Sequence, residues 1–167
     1  MNAIAVAGPV SGRQLHKFGG SSLADVKCYL RVAGIMAEYS QPGDMMVVSA
    51  AGSTTNQLIN WLKLSQSDRL SAHQVQQTLR RYHSDLISGL LPPESAEPLI
   101  AEFIQDLERL AVLLDGKVDE VCYAEVVGHG EIWSARLMAA VLNQLDMQAA
   151  WLDARDFLRA ERAAQPQ

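Results

Sequence analysis

Two periods of apolar residues alternate along the chain. A short run from Arg13 to Phe18 has strand length, and from Leu23 onward Leu23, Val26, Leu30, Ala33 and Ala37 recur at helical steps, predicting a helix to about Tyr39. Ser22 and Asp25 have the S-x-x-D form of a capping box at its start. Gln41, Pro42, Gly43 and Asp44 form a turn, after which Met45 to Ala51 is a continuous apolar run, the mark of a strand covered on both faces. Two strands joined by one helix imply a parallel pair with a right-handed crossover.

The second strand runs into AGSTTN, where Gly52 permits a turn and Ser53, Thr54, Thr55 and Asn56 all suit a helix cap before Leu58, Ile59 and Leu62. From Ser71 to Gly116 the pattern is a helix pair. Ser71 and Gln74 suggest a capping box, Val75, Leu79, Tyr82 and Leu86 form one stripe, and Pro92-Pro93 breaks the run. A second stripe holds Leu99, Ile100, Phe103, Ile104, Leu107, Leu110 and Leu114, with Gly116 as C-cap. Arg80, Arg81, Glu102, Asp106, Glu108 and Arg109 read as a solvated face. Asp119 to Val127 fits either a short helix or a strand, GHGE follows at residues 128–131, and Trp133, Leu137 and Val141 mark a helix from about Glu131 to Leu145. Met147 to Leu152 reads as a third strand, followed by a charged segment from Asp153 in which Glu161 to Gln167 is expected to be disordered.

Composition narrows the class. A chain of 167 residues fits one domain on a prior of roughly 100 to 200 residues and buries around 70% of its unfolded surface. A hydrophobic content of 49% supports a globular core, and a net charge of −5 leaves no basic footprint for nucleic acid or anionic membrane. Cys28 and Cys122 lie in apolar segments without metal-ligand spacing and read as buried free thiols. No segment approaches the ~18 apolar residues of a membrane span. Residues 1–12 are apolar at first but lack a basic start, so they read as a flexible lead rather than a signal peptide, and the chain as cytoplasmic.

The chemistry concentrates at QLHKFGGSS, residues 14–22. Lys17 ends a strand, Gly19 and Gly20 follow, and the two serines lead into a helix. Glycine backbones adopt angles closed to other residues, so their N–H groups can turn toward an anion, and a helix start adds unpaired donors and a weak positive field. Phosphate is the anion this suggests. Gly-Gly equally marks a plain structural turn. The lysine precedes the glycines, unlike the G-x-x-x-x-G-K-[ST] loop, and Gly128-His129-Gly130 lacks the third glycine of a dinucleotide fingerprint. The AGSTTN loop would lie beside the first at the C-terminal edge of the sheet, where ligands of open parallel sheets bind. Glu131 reads locally either as a first-turn carboxylate favoured by the helix dipole or as a partner for an ammonium group. His129 reads as a loop residue rather than a general base, and His73 and His83 show no ligand pattern.

Taken in order, HKFGGSS, VVSAAGSTTN at residues 47–56 and GHGE at residues 128–131 resemble the aspartokinases of the amino acid kinase family. The likeness covers nearly the whole chain from Arg13 and points to the N-terminal part of the methionine-type bifunctional aspartokinase/homoserine dehydrogenases. The resemblance implies an αβα sandwich around a mainly parallel sheet, with residues 13–167 as the acceptor-binding lobe. It implies transfer of the γ-phosphoryl of ATP, with Mg²⁺, to the β-carboxylate of L-aspartate, giving 4-phospho-L-aspartate for synthesis of the aspartate-family amino acids. Lys17 would be the catalytic cation, with Gly19, Gly20 and Ser21 as phosphate donors; Ser21 stands where many relatives have threonine and keeps the hydroxyl. Ser49, Thr55 and Glu131 would hold aspartate, and no residue is assigned to a metal. The nucleotide-binding half, the cation for the substrate carboxylate and the Mg²⁺ ligands would lie beyond Gln167, so the chain alone is expected to be inactive within a homo-oligomeric parent. NADP(H) enters only if a dehydrogenase follows. Two alternatives stand beside this: another carboxylate acceptor within the family, and a noncatalytic helical oligomerisation module.

Overall fold

The computed structural model describes residues 12–158, so expectations for the lead before Gly12 and for the tail from Glu161 lie outside the described residues. Two strands and five helices follow in order: β1 (Leu15–Phe18), α1 (Val26–Tyr39), β2 (Met45–Val48), α2 (Thr54–Ser65), α3 (Arg69–Leu90), α4 (Pro93–Leu114) and α5 (Glu120–Asn143), with short 3-10 turns at Gly20–Leu23 and Ala154–Asp156. The fold is mixed α/β, and the sheet among the described residues is the parallel pair β1-β2. None of the described helices is long and apolar enough to cross a membrane.

Register is what places the site. Leu15 pairs with Met45, Lys17 with Val47 and Phe18 with Val48, so both strands end level. The Ser49 amide donates to the Phe18 carbonyl at 3.1 Å, carrying the ladder one residue further and setting the two following turns side by side. At the other end, the Asp44 carboxylate accepts from the Gln14 amide at 2.7 Å and the Gln41 amide at 2.9 Å, and Gly43 takes the left-handed φ of 94° that this turn requires.

Phe18, Met46 and Val48 pack on the helical core, whereas Met45 and Val47 are 56% and 45% exposed. Coverage of both faces of β2 is therefore not found among the described residues. The strand also stops at Val48; the apolar run continues to Ala51 because Ala50 and Ala51 are buried in the turn.

Three boundaries correct the sequence reading. The α1 cap is Asp25, which accepts from the Cys28 amide at 2.8 Å, because Ser22 is taken up in a 3-10 turn. Asp68, not Ser71, caps α3, accepting from the Leu70 and Ser71 amides. Of the two readings of Asp119–Val127 the helix holds, and the helix start expected near Glu131 moves back to Glu120, since α5 runs unbroken for 24 residues through GHGE. This helix buries Cys122, Val126, His129, Trp133, Leu137, Met138, Val141 and Leu142, nearly all round, so it lacks the one-sided stripe by which a helix is recognised.

The strand expected over Met147–Leu152 is likewise absent. Asp146 and Gln148 adopt left-handed φ values of 57° and 50°, and Asn143 holds Ala149 through both its amide and its carbonyl. The helix pair is α3 and α4, joined through Leu91 and Pro92 and packed on one another. Cys28 is half-buried, Cys122 is buried, and both are free.

Candidate functional site

Lys17 closes the exposed side of β1, and its Nζ donates to Ser49 Oγ at 3.4 Å across the ends of the strands. Gly19 lies against the same ammonium group, 3.7 Å from where its Cβ would sit. Neither Gly19 nor Gly20 adopts a positive φ, which corrects the idea that this pair was selected for backbone angle. What Gly20 supplies is the absence of a side chain: a Cβ there would lie 2.7 Å from the Ala50 carbonyl oxygen. The Gly52 amide donates to the Gly20 carbonyl at 3.1 Å, joining the turns backbone to backbone, and here a left-handed φ of 53° favours glycine, where an added Cβ would also lie 2.9 Å from Tyr82 Oη.

Capping changes where an anion finds donors. Asp25 occupies the start of α1 with its own carboxylate, and that helix end is therefore closed to phosphate. Ser53, at the N-cap of α2, makes no side-chain cap bond, and its hydroxyl instead accepts from Gln57 Nε2. The Thr54 amide donates to the Ala51 carbonyl at 3.0 Å, and no side chain caps the N–H groups that follow it at the positive end of the α2 dipole. Ser21 is exposed in the 3-10 turn, and Thr55 is half-buried at the second position of α2. No side-chain hydrogen bond ties Ser21 or Thr55 to Lys17 or Glu131.

Glu131 reaches this edge from α5. Its Oε1 accepts from the Ala50 amide at 3.3 Å, between Ser49 and the Gly52 turn. The approach depends on Gly130, where a Cβ would meet Ala50 Cβ at 2.7 Å and Thr54 Cγ2 at 3.2 Å. Lys17, Ser49, Ala50 and Glu131 thus form one chain of contacts across β1, β2 and α5. A cation, a hydroxyl, backbone donors and an exposed carboxylate side by side match a zwitterionic ligand bearing further negative charge.

His129 is buried within α5 rather than in a loop, and its protonation follows from its partners. Nδ1 lies 2.6 Å from the Glu125 carbonyl oxygen, which only accepts, and Nε2 lies 2.6 Å from Arg109 Nη2, which only donates. The ring is neutral with both nitrogens engaged, and burial lowers its pKa. It has no free position from which to act as a base. Asp106 leaves the solvated face assigned to it, accepting from Arg136 at 2.6 Å and Trp133 Nε1 at 3.2 Å, whereas Arg109 stays exposed there while bonding Glu125 at 2.9 Å. Among the described residues no group of three or more His, Cys, Asp or Glu side chains converges as a metal site.

Sequence reasoning gave the residues that hold the turns no role in the site, reading Thr54 as a cap candidate and Tyr82 as part of a stripe. Thr54 is fully buried, donating to the Ala51 carbonyl at 2.6 Å and lying 3.0 Å from His83 Nε2. Tyr82 Oη donates to the Ala24 carbonyl at 3.0 Å. The one visible signal was polar: a tyrosine and a histidine adjoining an otherwise apolar stripe need partners when buried.

Residues 12–166 match the model of the amino acid kinase family. The chain belongs to that family. Over all 167 residues it is 80% identical to bifunctional aspartokinase/homoserine dehydrogenase 2 of Escherichia coli K12, of which it spans 20%. Lysine-sensitive aspartokinase 3 of the same organism is 27% identical over 86% of the chain and 31% of that protein. In structure, this amino acid kinase segment matches E. coli aspartokinase III in complex with aspartate and ADP with a TM-score of 0.76 at 25% identity, covering 86% of this chain and 32% of that one. The chain spans between a fifth and a third of the length of these relatives.

Proposed function

We propose that this segment is the acceptor-binding part of an aspartate kinase, at the N-terminal end of a bifunctional aspartokinase/homoserine dehydrogenase. The observation that carries this is 80% identity over the whole segment to the E. coli bifunctional protein. The complete enzyme transfers the γ-phosphoryl of ATP to the β-carboxylate of L-aspartate. The nucleotide-binding half, the dehydrogenase with its NADP(H), the cytoplasmic location and the homo-oligomeric state of the parent belong to the same reading.

Lys17 neutralises charge on the phosphoryl group in transit, with Gly19, Gly20 and Ser21 as neighbouring donors. Phosphoryl transfer asks the protein mainly for positioning and for charge met without rearrangement, and a lysine already held toward Ser49 at 3.4 Å supplies both. Glu131 pairs with the substrate ammonium; one carboxylate oxygen is bound to the Ala50 amide, which aims the group into the site. Ser49 and Thr55 bond the substrate carboxylates, helped by the start of α2, which no side chain caps. The Mg²⁺ of the nucleotide finds no ligand cluster among the described residues.

An acceptor screen with the full polypeptide tests the reading. ADP release is expected with L-aspartate and not with N-acetyl-L-glutamate, which lacks the ammonium group. Glu131→Gln is expected to raise the aspartate KM by about ten- to hundredfold, the usual weight of a charged hydrogen bond. An unchanged KM would take Glu131 out of the site. The 167-residue chain by itself is expected to release no ADP with aspartate.

A further inference from the structure

Tyr82 and His83, neighbours on α3, each touch one of the two turns. Tyr82 Oη donates to the Ala24 carbonyl at 3.0 Å, just past the Gly20–Leu23 turn. The same phenol oxygen lies 2.9 Å from where a Gly52 Cβ would stand, so it is wedged between the first turn and the second. Thr54 commits its one hydroxyl proton to the Ala51 carbonyl at 2.6 Å, which leaves His83 Nε2 as the donor across their 3.0 Å contact. The imidazole therefore holds the first residue of α2. Its ring packs on Phe103 of α4 and Trp133 of α5 at centroid distances of 5.0 and 5.1 Å, and Trp133 follows Glu131 by two residues.

We propose that Tyr82 and His83 are positioning residues: the phenol sets the spacing between the two turns, and the imidazole fixes the start of α2 relative to α5, so that Lys17, Thr55 and Glu131 meet one substrate. Their contribution to turnover rests on the aspartate kinase reading. Their contribution to geometry does not. The Gly52 amide, bonded to the Gly20 carbonyl at 3.1 Å, reports the spacing of the turns directly.

The test compares Tyr82→Phe, His83→Leu and His83→Gln in the full polypeptide. In Tyr82→Phe the Gly52 amide is expected to exchange with deuterium about tenfold faster, while amides of α4 keep their wild-type rates. With aspartate and ATP, the same variant is expected to lose about tenfold in kcat with aspartate KM within about twofold, because the first turn serves the group in transit. His83→Leu is expected to raise aspartate KM by about tenfold, and His83→Gln, whose amide nitrogen stands where Nε2 donates, to restore it to within about twofold. Unchanged Gly52 exchange in Tyr82→Phe overturns the proposal. So does a loss of melting temperature with wild-type kcat and KM, or a His83→Gln as defective as His83→Leu. If wild-type protein fails to phosphorylate aspartate, the functional reading falls, and the exchange rate alone decides the positioning role.

Discussion

Burial pushes the His83 imidazole down to about 3 from an ordinary value of 6.5. The unfolded chain takes up this proton near pH 6.5, whereas the folded chain holds the ring neutral against Thr54, Phe103 and Trp133, with the Arg136 guanidinium on the same small cavity. Between those two values the unfolded state binds more protons, so stability falls as pH drops, by up to ~1.4 kcal/mol per unit, and is flat above about pH 7. Urea unfolding at pH 7 and at pH 5 should therefore show a loss of about 2 kcal/mol in wild type beyond that in His83→Gln. The difference between the two proteins isolates His83 from His129, whose pKa burial lowers in the same direction. Equal losses in both would mean that the ring is protonated or solvated in the folded state.

Helix α5 carries two glycines whose substitution should move stability in opposite directions. A Cβ at Gly128 meets nothing within 4 Å, so Gly128→Ala gains helix propensity and is expected to stabilise by up to about 1 kcal/mol. At Gly130 the added carbon would press on Ala50 Cβ at 2.7 Å, a stiff neighbour, and overpacking of about 1–3 kcal/mol outweighs the gain. Denaturant midpoints distinguish them; stabilisation by Gly130→Ala would mean that α5 does not approach β2 this closely. These glycines also show where sequence reading failed. The sequence pattern starts this helix at about Glu131 and leaves His129 in a loop, yet α5 begins at Glu120 and Gly130 serves close packing inside it. Elements with a single buried face, such as α1, α3 and α4, were legible from their stripes. Helix α5, buried nearly all round, and the Met147–Leu152 stretch, apolar but preceded by left-handed Asp146 and broken by left-handed Gln148, gave patterns without the information needed.

Across the whole molecule, contacts between residues distant in sequence assemble the site, and no local pattern carries them. Lys17 meets Ser49 across 32 positions, and Glu131 meets the Ala50 amide across 81. The residues themselves were named from the order of three motifs; their proximity follows from level strand ends and from one helix crossing them. His83 and Tyr82, which tie that arrangement together, lie outside those motifs, and Thr54, inside the second, reads from sequence only as a helix cap. The most direct test of the account is kcat for L-aspartate-dependent ADP formation by the full polypeptide with and without Lys17→Ala, alongside the melting temperature. The expected result is a fall in kcat of about 10²- to 10³-fold, as for loss of one positioned group meeting transition-state charge, with melting unchanged because Lys17 is exposed. A Lys17→Ala protein that turns over aspartate at the wild-type rate would contradict it.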